Sequence, residues 1–117
     1  MKKAFKYKSV VTKSQREALN EFKRYLRRRF PEKSWRLILF GSRARGDYGP
    51  HSDTDVALIL DGMTNEIRKE VIGEICDIEL KQDTVISLIP FSKKDFDFLK
   101  SRERRIALDI ENEGIML

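Results

Sequence analysis

Gly41-Ser42-Arg43-Ala44-Arg45-Gly46-Asp47, a gap of four residues, then Ser52-Asp53-Thr54-Asp55-Val56 is the stretch on which the reading of this chain turns. It lies between two apolar runs. Trp35 to Phe40, containing Leu37-Ile38-Leu39, is β-prone and ends at Gly41. Asp53 to Leu60 reads as a second strand, closed by the turn pair Asp61-Gly62. Gly41 at a strand end lets the backbone turn sharply and approach a ligand closely. Ser42 then offers a hydroxyl and an amide at the start of a short helix, a place for phosphate oxygens. Asp53 and Asp55 are two apart on the expected strand, so both side chains leave the same face. Two carboxylates that close are unfavourable unless a cation neutralises them. Hard divalent ions such as Mg²⁺ take a few carboxylates together with substrate phosphates. A phosphate cradle beside paired carboxylates is the equipment of metal-assisted phosphoryl or nucleotidyl transfer.

Working outward, Ser14-Gln15-Arg16-Glu17 has the spacing of a capping box, and Leu19, Phe22, Tyr25, Leu26 and Phe30 recur at helical intervals. This predicts a helix over about 14–30, ended by Pro31. Residues 1–12 read as a frayed or edge segment. Ile67, Val71, Ile72, Ile75, Ile78 and Leu80 predict a helix over about 65–80. Asp83 to Pro90 is expected as a third strand. About 93–113 is expected as helix in two pieces stopped by Gly114, with Ile115-Met116-Leu117 extended. The order is α-β-β-α-β-α with a helical crossover between the second and third strands. That implies a small α/β (α+β) domain, a mixed sheet with helices mainly on one face.

The chain has 117 residues, 40% hydrophobic and 37% charged, with six Gly and three Pro, which fits one domain over 1–117 and excludes collagen-like, low-complexity and largely disordered classes. The longest apolar run, Val56 to Leu60, falls far short of the ~18 residues of a membrane span. The single cysteine, Cys76, excludes an intrachain disulfide; within a helical apolar stripe it is expected to be packed and inert. No signal peptide is read at the start, and a cytoplasmic location is expected. The net charge of +5 is uneven: residues 1–45 hold 15 Lys and Arg against three acids, residues 46–117 nine against 16. The basic front half, with Arg27-Arg28-Arg29, suits either a polyanion or a solvated helix face. No nucleic-acid motif accompanies it, so nucleic acid is a weakly supported partner.

The pattern Gly-Ser-x-Ala-Arg-Gly, a short gap, then Ser-Asp-x-Asp and an apolar strand is carried here by Gly41, Ser42, Ala44, Arg45, Gly46, Ser52, Asp53 and Asp55. It resembles the signature of the DNA polymerase β-type nucleotidyltransferase superfamily, and in particular its minimal nucleotidyltransferase proteins. The resemblance extends more loosely over about 15–117. It implies a polymerase β-like fold in which Gly41 and Ser42 hold a triphosphate and Asp53 and Asp55 bind two Mg²⁺ ions. Ser52 belongs to the motif, and Arg43 and Arg45 are candidate phosphate contacts, with a surface salt bridge from Arg45 to Asp47 the competing reading. It further implies transfer of a nucleoside monophosphate, AMP from ATP or the equivalent from another NTP, to a hydroxyl on a helical HEPN-type partner, in a toxin–antitoxin pair. The alternative is a catalytically weak nucleotide-binding antitoxin that acts by contact.

In that family a third carboxylate on a later strand completes the metal site. Here the aligned position is Ser87, and Asp83 or Asp77 are the candidate substitutes. His51, the only histidine, is expected to be solvated. Among the aromatic residues, Phe91, Phe96 and Phe98 are expected to include a partner-facing patch, and the oligomeric state stays open.

Overall fold

A computed structural model describes residues 9–117. Of the expected frayed or edge segment 1–12, residues 1–8 lie outside the described residues. Residues 9–12 form a turn that buries Val11 in the core. Helix α1 runs over Lys13–Arg29. Its cap is Thr12, two residues before the expected Ser14. The Gln15 amide donates to Thr12 Oγ1 at 3.1 Å, and the Thr12 amide donates to Gln15 Oε1 at 3.0 Å, so the box is made by Thr12 and Gln15. Arg27, Arg28 and Arg29 fill the last turn, where cations oppose the negative end of the helix dipole.

Strand β1 (Trp35–Phe40) is followed by the one-turn helix α2 (Ser42–Arg45) and then by β2 (Asp55–Leu60). Helix α3 covers Asn65–Gln82, two residues beyond the expected end, and β3 covers Ser87–Ser92. Two short helices, α4 (Lys93–Ser101) and α5 (Arg105–Glu113), precede β4 (Ile115–Met116). The four strands lie in the order β3-β2-β1-β4. β2 pairs antiparallel with β1 and parallel with β3, and β4 pairs antiparallel with β1, so the sheet is mixed as expected.

Strand alternation sorts the core into two layers. Leu37, Leu39, Val56, Leu58 and Leu60 face the two long helices, meeting Leu19, Phe22 and Leu26 of α1 and Val71, Ile75 and Ile78 of α3. Ile38, Phe40, Ala57 and Ile59 face the opposite way, against Phe96 of α4 and Ala107 and Ile110 of α5. The helical mass thus lies mainly on one face, and the two short helices cover the other. Phe22 and Leu26 are fully buried, each contributing roughly 1.5–3 kcal/mol by leaving water. Across the long-helix layer, Tyr25 donates to the Glu70 carboxylate, which also receives Arg29 Nε at 2.8 Å and Nη2 at 3.1 Å. β3 is an edge strand that contains Pro90, and Arg68 of α3 donates to the Pro90 carbonyl.

The expected third strand, Asp83 to Pro90, starts four residues late. Asp83 is the C-cap of α3 in left-handed backbone (φ 51°), and residues 84–86 descend from there to the sheet. Glu79 holds that descent by accepting the Ile86 amide at 2.9 Å.

Candidate active site

The register of β1 and β2 sets Phe40 opposite Asp55, so the end of the first strand and the start of the second meet at one end of the sheet. Residues 41–54 make the connection between them. Gly41 sits at φ 77°, ψ −157°, a region open essentially to glycine alone. A Cβ at Gly41 would strike the Oδ2 of Asp55. The absent side chain therefore lets the backbone at the start of α2 lie directly against that carboxylate. Gly46, at φ 89°, closes the turn: its amide and that of Asp47 donate to the Ser42 carbonyl at 2.9 and 3.2 Å.

Asp55 is half-buried and Asp53, just before β2, is exposed. Burial, and then the charge of Asp53, raise the Asp55 carboxyl above the usual carboxylate range. The positive charge of Arg45 and a hydrogen bond with Ser87 act the other way. The parallel register places Ser87 beside Asp55 on the neighbouring strand. This is the position expected for the family's third acid, and a hydroxyl occupies it. Neither proposed substitute stands there. Asp83 faces a separate groove with Cys76, Leu80 and Val85, and Asp77 is exposed on α3, away from the Val71, Ile75 and Ile78 face that meets the sheet. The charged side chains that act on Asp55 include Asp53 and Arg45. Among the described residues no group of three or more His, Cys, Asp or Glu side chains converges on a metal position.

The two motif arginines separate in role. Arg43 is buried, and its donors are taken by carbonyls: Nη1 to Val10 at 2.8 Å, Nε and Nη2 to Ser52 at 3.3 and 3.2 Å. Its guanidinium also lies over the Tyr48 ring, 4.9 Å from the centroid. The expectation of a phosphate contact at Arg43 is corrected accordingly: the side chain ties α2 to the loop ahead of Asp53 and to the turn ahead of α1. Arg45 is more exposed and pairs with Asp47 at 3.2 Å and Glu113 at 3.3 Å, so the salt-bridge reading describes its present contacts. Ser52 shapes the loop, its hydroxyl accepting the Gly49 amide at 2.8 Å.

Beside this end of the sheet is a cleft of about 480 Å³ whose lining includes Thr12, Gln15, Arg43, Ser52, Asp53 and Ser87. His51 lines it too and is exposed, as expected. Thr54, which no sequence signal singled out, has a buried hydroxyl without a hydrogen-bond partner among the described residues. Cys76, expected in the core, is exposed. Of the three phenylalanines, Phe96 is buried and Phe98 is 62% exposed.

A carboxylate pair of this kind fits a hard divalent cation. Both groups supply oxygen, and positive charge beside them would offset the burial, and then the Asp53 charge, that raise the Asp55 carboxyl.

Comparison with known proteins gives the same direction. The model of the nucleotidyltransferase domain family matches residues 19–110. A protein of Methanocaldococcus jannaschii named "putative protein adenylyltransferase" is 40% identical over 78 residues, covering 66% of this chain and 79% of its own. A second protein of that organism with the same descriptive name is 31% identical over 85 residues, covering 72% of this chain and 80% of its own. No solved structure gives a significant match. With Gly41 against Asp55, Asp53 beside it and the family match running through both, the chain belongs to the nucleotidyltransferase domain family and is a minimal nucleotidyltransferase.

Proposed function

We propose that this enzyme moves AMP from ATP to a hydroxyl group of a partner protein and releases pyrophosphate. The observation that carries the reading is the packing of the Gly41 backbone against the Asp55 carboxylate, which puts the Gly41-Ser42 turn next to a two-carboxylate site. The names of the two relatives support a protein as acceptor and the adenylyl group as cargo.

Asp53 and Asp55 would hold Mg²⁺, in the proposed form two ions. When bound, such ions neutralise triphosphate charge and activate the attacking oxygen. The chain's own residues do the positioning. Gly41 admits the triphosphate, Ser42 donates to it, and Arg43 and Ser52 fix the loop that aims Asp53. Arg45 adds positive charge near Asp55. Ser87, where a third carboxylate would otherwise accept the proton of the attacking hydroxyl, favours slow transfer. That supports a second reading, in which nucleotide binding and contact with the partner matter more than turnover. The partner we propose is a helical HEPN-type protein, with this chain as the antitoxin of a cytoplasmic pair.

The test is incubation of the purified chain with a helical HEPN-type protein from the same source, Mg²⁺ and ATP labelled on the α-phosphate. Label on that protein with the wild type, and none with Asp55→Asn, is expected. Equal label with both sinks the assignment.

A further inference from the structure

We propose that the acceptor protein docks on an apolar strip made by the outer side of α3 and the α3–β3 connection, centred on Cys76, Leu80 and Val85, and that this strip leads its hydroxyl into the cleft beside Ser87 and Asp53. The proposal rests on the protein-acceptor reading above. Ile72, Cys76 and Leu80 recur every four residues along α3, so they share one helix flank. They lie outside the face that Val71, Ile75 and Ile78 bury against the sheet. Leu80 is 84% exposed, Val85 73% and Ile72 41%. Scattered exposed apolar residues need no explanation, but a contiguous row of them marks a contact surface. Cys76, Leu80 and Val85 line one groove, together with Glu79, Asp83 and Thr84.

Two features say what covers the strip. The first is continuity: Thr84 and Val85 line both this groove and the cleft that contains Asp53 and Ser87. The groove therefore adjoins the cleft beside Asp53 and Ser87 along Thr84 and Val85. It enters from the β3 side, whereas the Gly41 cradle lies on the β1 side of Asp55. In an in-line displacement the attacking hydroxyl approaches opposite the leaving group. With pyrophosphate departing on the cradle side, the acceptor arrives from the β3 side, where the strip is.

The second feature is charge. Asp77 and Asp83 border the strip, both exposed and neither in an ion pair among the described residues. A second copy of this chain docked strip to strip would bring these acids together. The occupant that fits is an apolar segment flanked by Lys or Arg, carried by the acceptor protein. The exposed Phe98 borders a different hollow with Pro90 and Phe91, near the opposite end of β3 from Ser87, so it cannot serve this delivery.

The experiment compares wild type with Leu80→Lys and Val85→Lys, singly and together. It measures AMP transfer from α-phosphate-labelled ATP to proteins of a source-cell extract, alongside binding of MgATP by calorimetry. Both side chains are exposed, so melting temperatures are expected to match wild type; Leu80→Gln and Val85→Thr replace any variant that melts lower. The double lysine variant is expected to label the acceptor at least tenfold less at limiting acceptor, and Leu80→Lys alone, which lies outside the cleft, to label it less with unchanged affinity for MgATP. Leu80→p-benzoylphenylalanine is expected to photocrosslink to the same protein that carries the label. Full labelling by the double variant overturns the proposal, as does crosslinking to an unlabelled protein or to a second copy of the chain. A wild-type chain that binds MgATP but labels no protein overturns the protein-acceptor reading, and the docking strip falls with it. Strong wild-type labelling that survives the lysines removes the strip alone.

Discussion

Replacing Gly41 by alanine adds one methyl group where two separate costs meet. The backbone there has φ 77° and ψ −157°, a conformation that costs a residue with a side chain about 1–3 kcal/mol. The new Cβ also collides with the Asp55 carboxylate oxygen, so Asp55 must turn away from the cradle. Taking about 2 kcal/mol for the backbone alone, and about 2.1 cal/mol/K of unfolding entropy for each of the 117 residues, the melting temperature should fall by about 8 °C. The steric part can be isolated: in an Asp55→Ala background the collision is gone, and Gly41→Ala should cost less by about 0.5 kcal/mol or more. Thermal melts of the four proteins measure this, and calorimetry of MgATP binding follows the loss of the cradle. If Gly41→Ala melts within about 2 °C of wild type and binds MgATP equally well, the backbone does not approach Asp55 as described.

Asp55→Asn should end AMP transfer and yet melt no lower than wild type, because it removes a carboxylate that burial and Asp53 disfavour. The sign follows from the raised folded value: between the ordinary carboxylate range and that value the native state binds more protons, so Asp55's contribution to stability declines as pH rises. Melts from mildly acidic to neutral pH should show a smaller decline for Asp55→Asn. Ser87→Asp should raise transfer tenfold or more, since a positioned general base contributes roughly 10²–10⁴, whereas Asp77→Asn and Asp83→Asn leave MgATP affinity unchanged; a loss of affinity in either would return that residue to the site. Arg43→Ala should lower stability by about 1–3 kcal/mol through stranded, partly buried carbonyls, and Arg43→Lys should not restore it, as denaturant titration would show. Ser42→Ala should weaken MgATP binding by about 1–2 kcal/mol, read by calorimetry.

Much of this molecule was legible along the chain because its signals are local. Apolar spacing located α1 and α3 within one or two residues, and Gly41 and Gly114 marked real ends. The start of β3 was misplaced because Thr84-Val85 is as β-prone as the strand that follows. What delays the strand is a left-handed cap at Asp83 and a bond from Glu79, and neither has a sequence signature. The site divides in the same way. The cradle and the two aspartates are contiguous enough to be read. Ser87 is brought beside Asp55 by parallel pairing across a long crossover, which no local signal encodes. Arg43 was misjudged because an arginine in a phosphate motif looks like a ligand until the carbonyls of Val10 and Ser52 surround it.

The margins of the sheet bear on how this protein meets others. Alternation along β3, with the Ser87 amide donating inward to Thr54 at 2.9 Å, turns the backbone of residue 90 outward. There proline has no N–H to offer, and its carbonyl is already claimed by Arg68. The opposite margin is a strand of two residues, Ile115–Met116. Neither side can template the addition of a foreign strand, which guards the chain against edge-to-edge aggregation. It also means that a partner must recognise this protein by its side chains and not by extending its sheet.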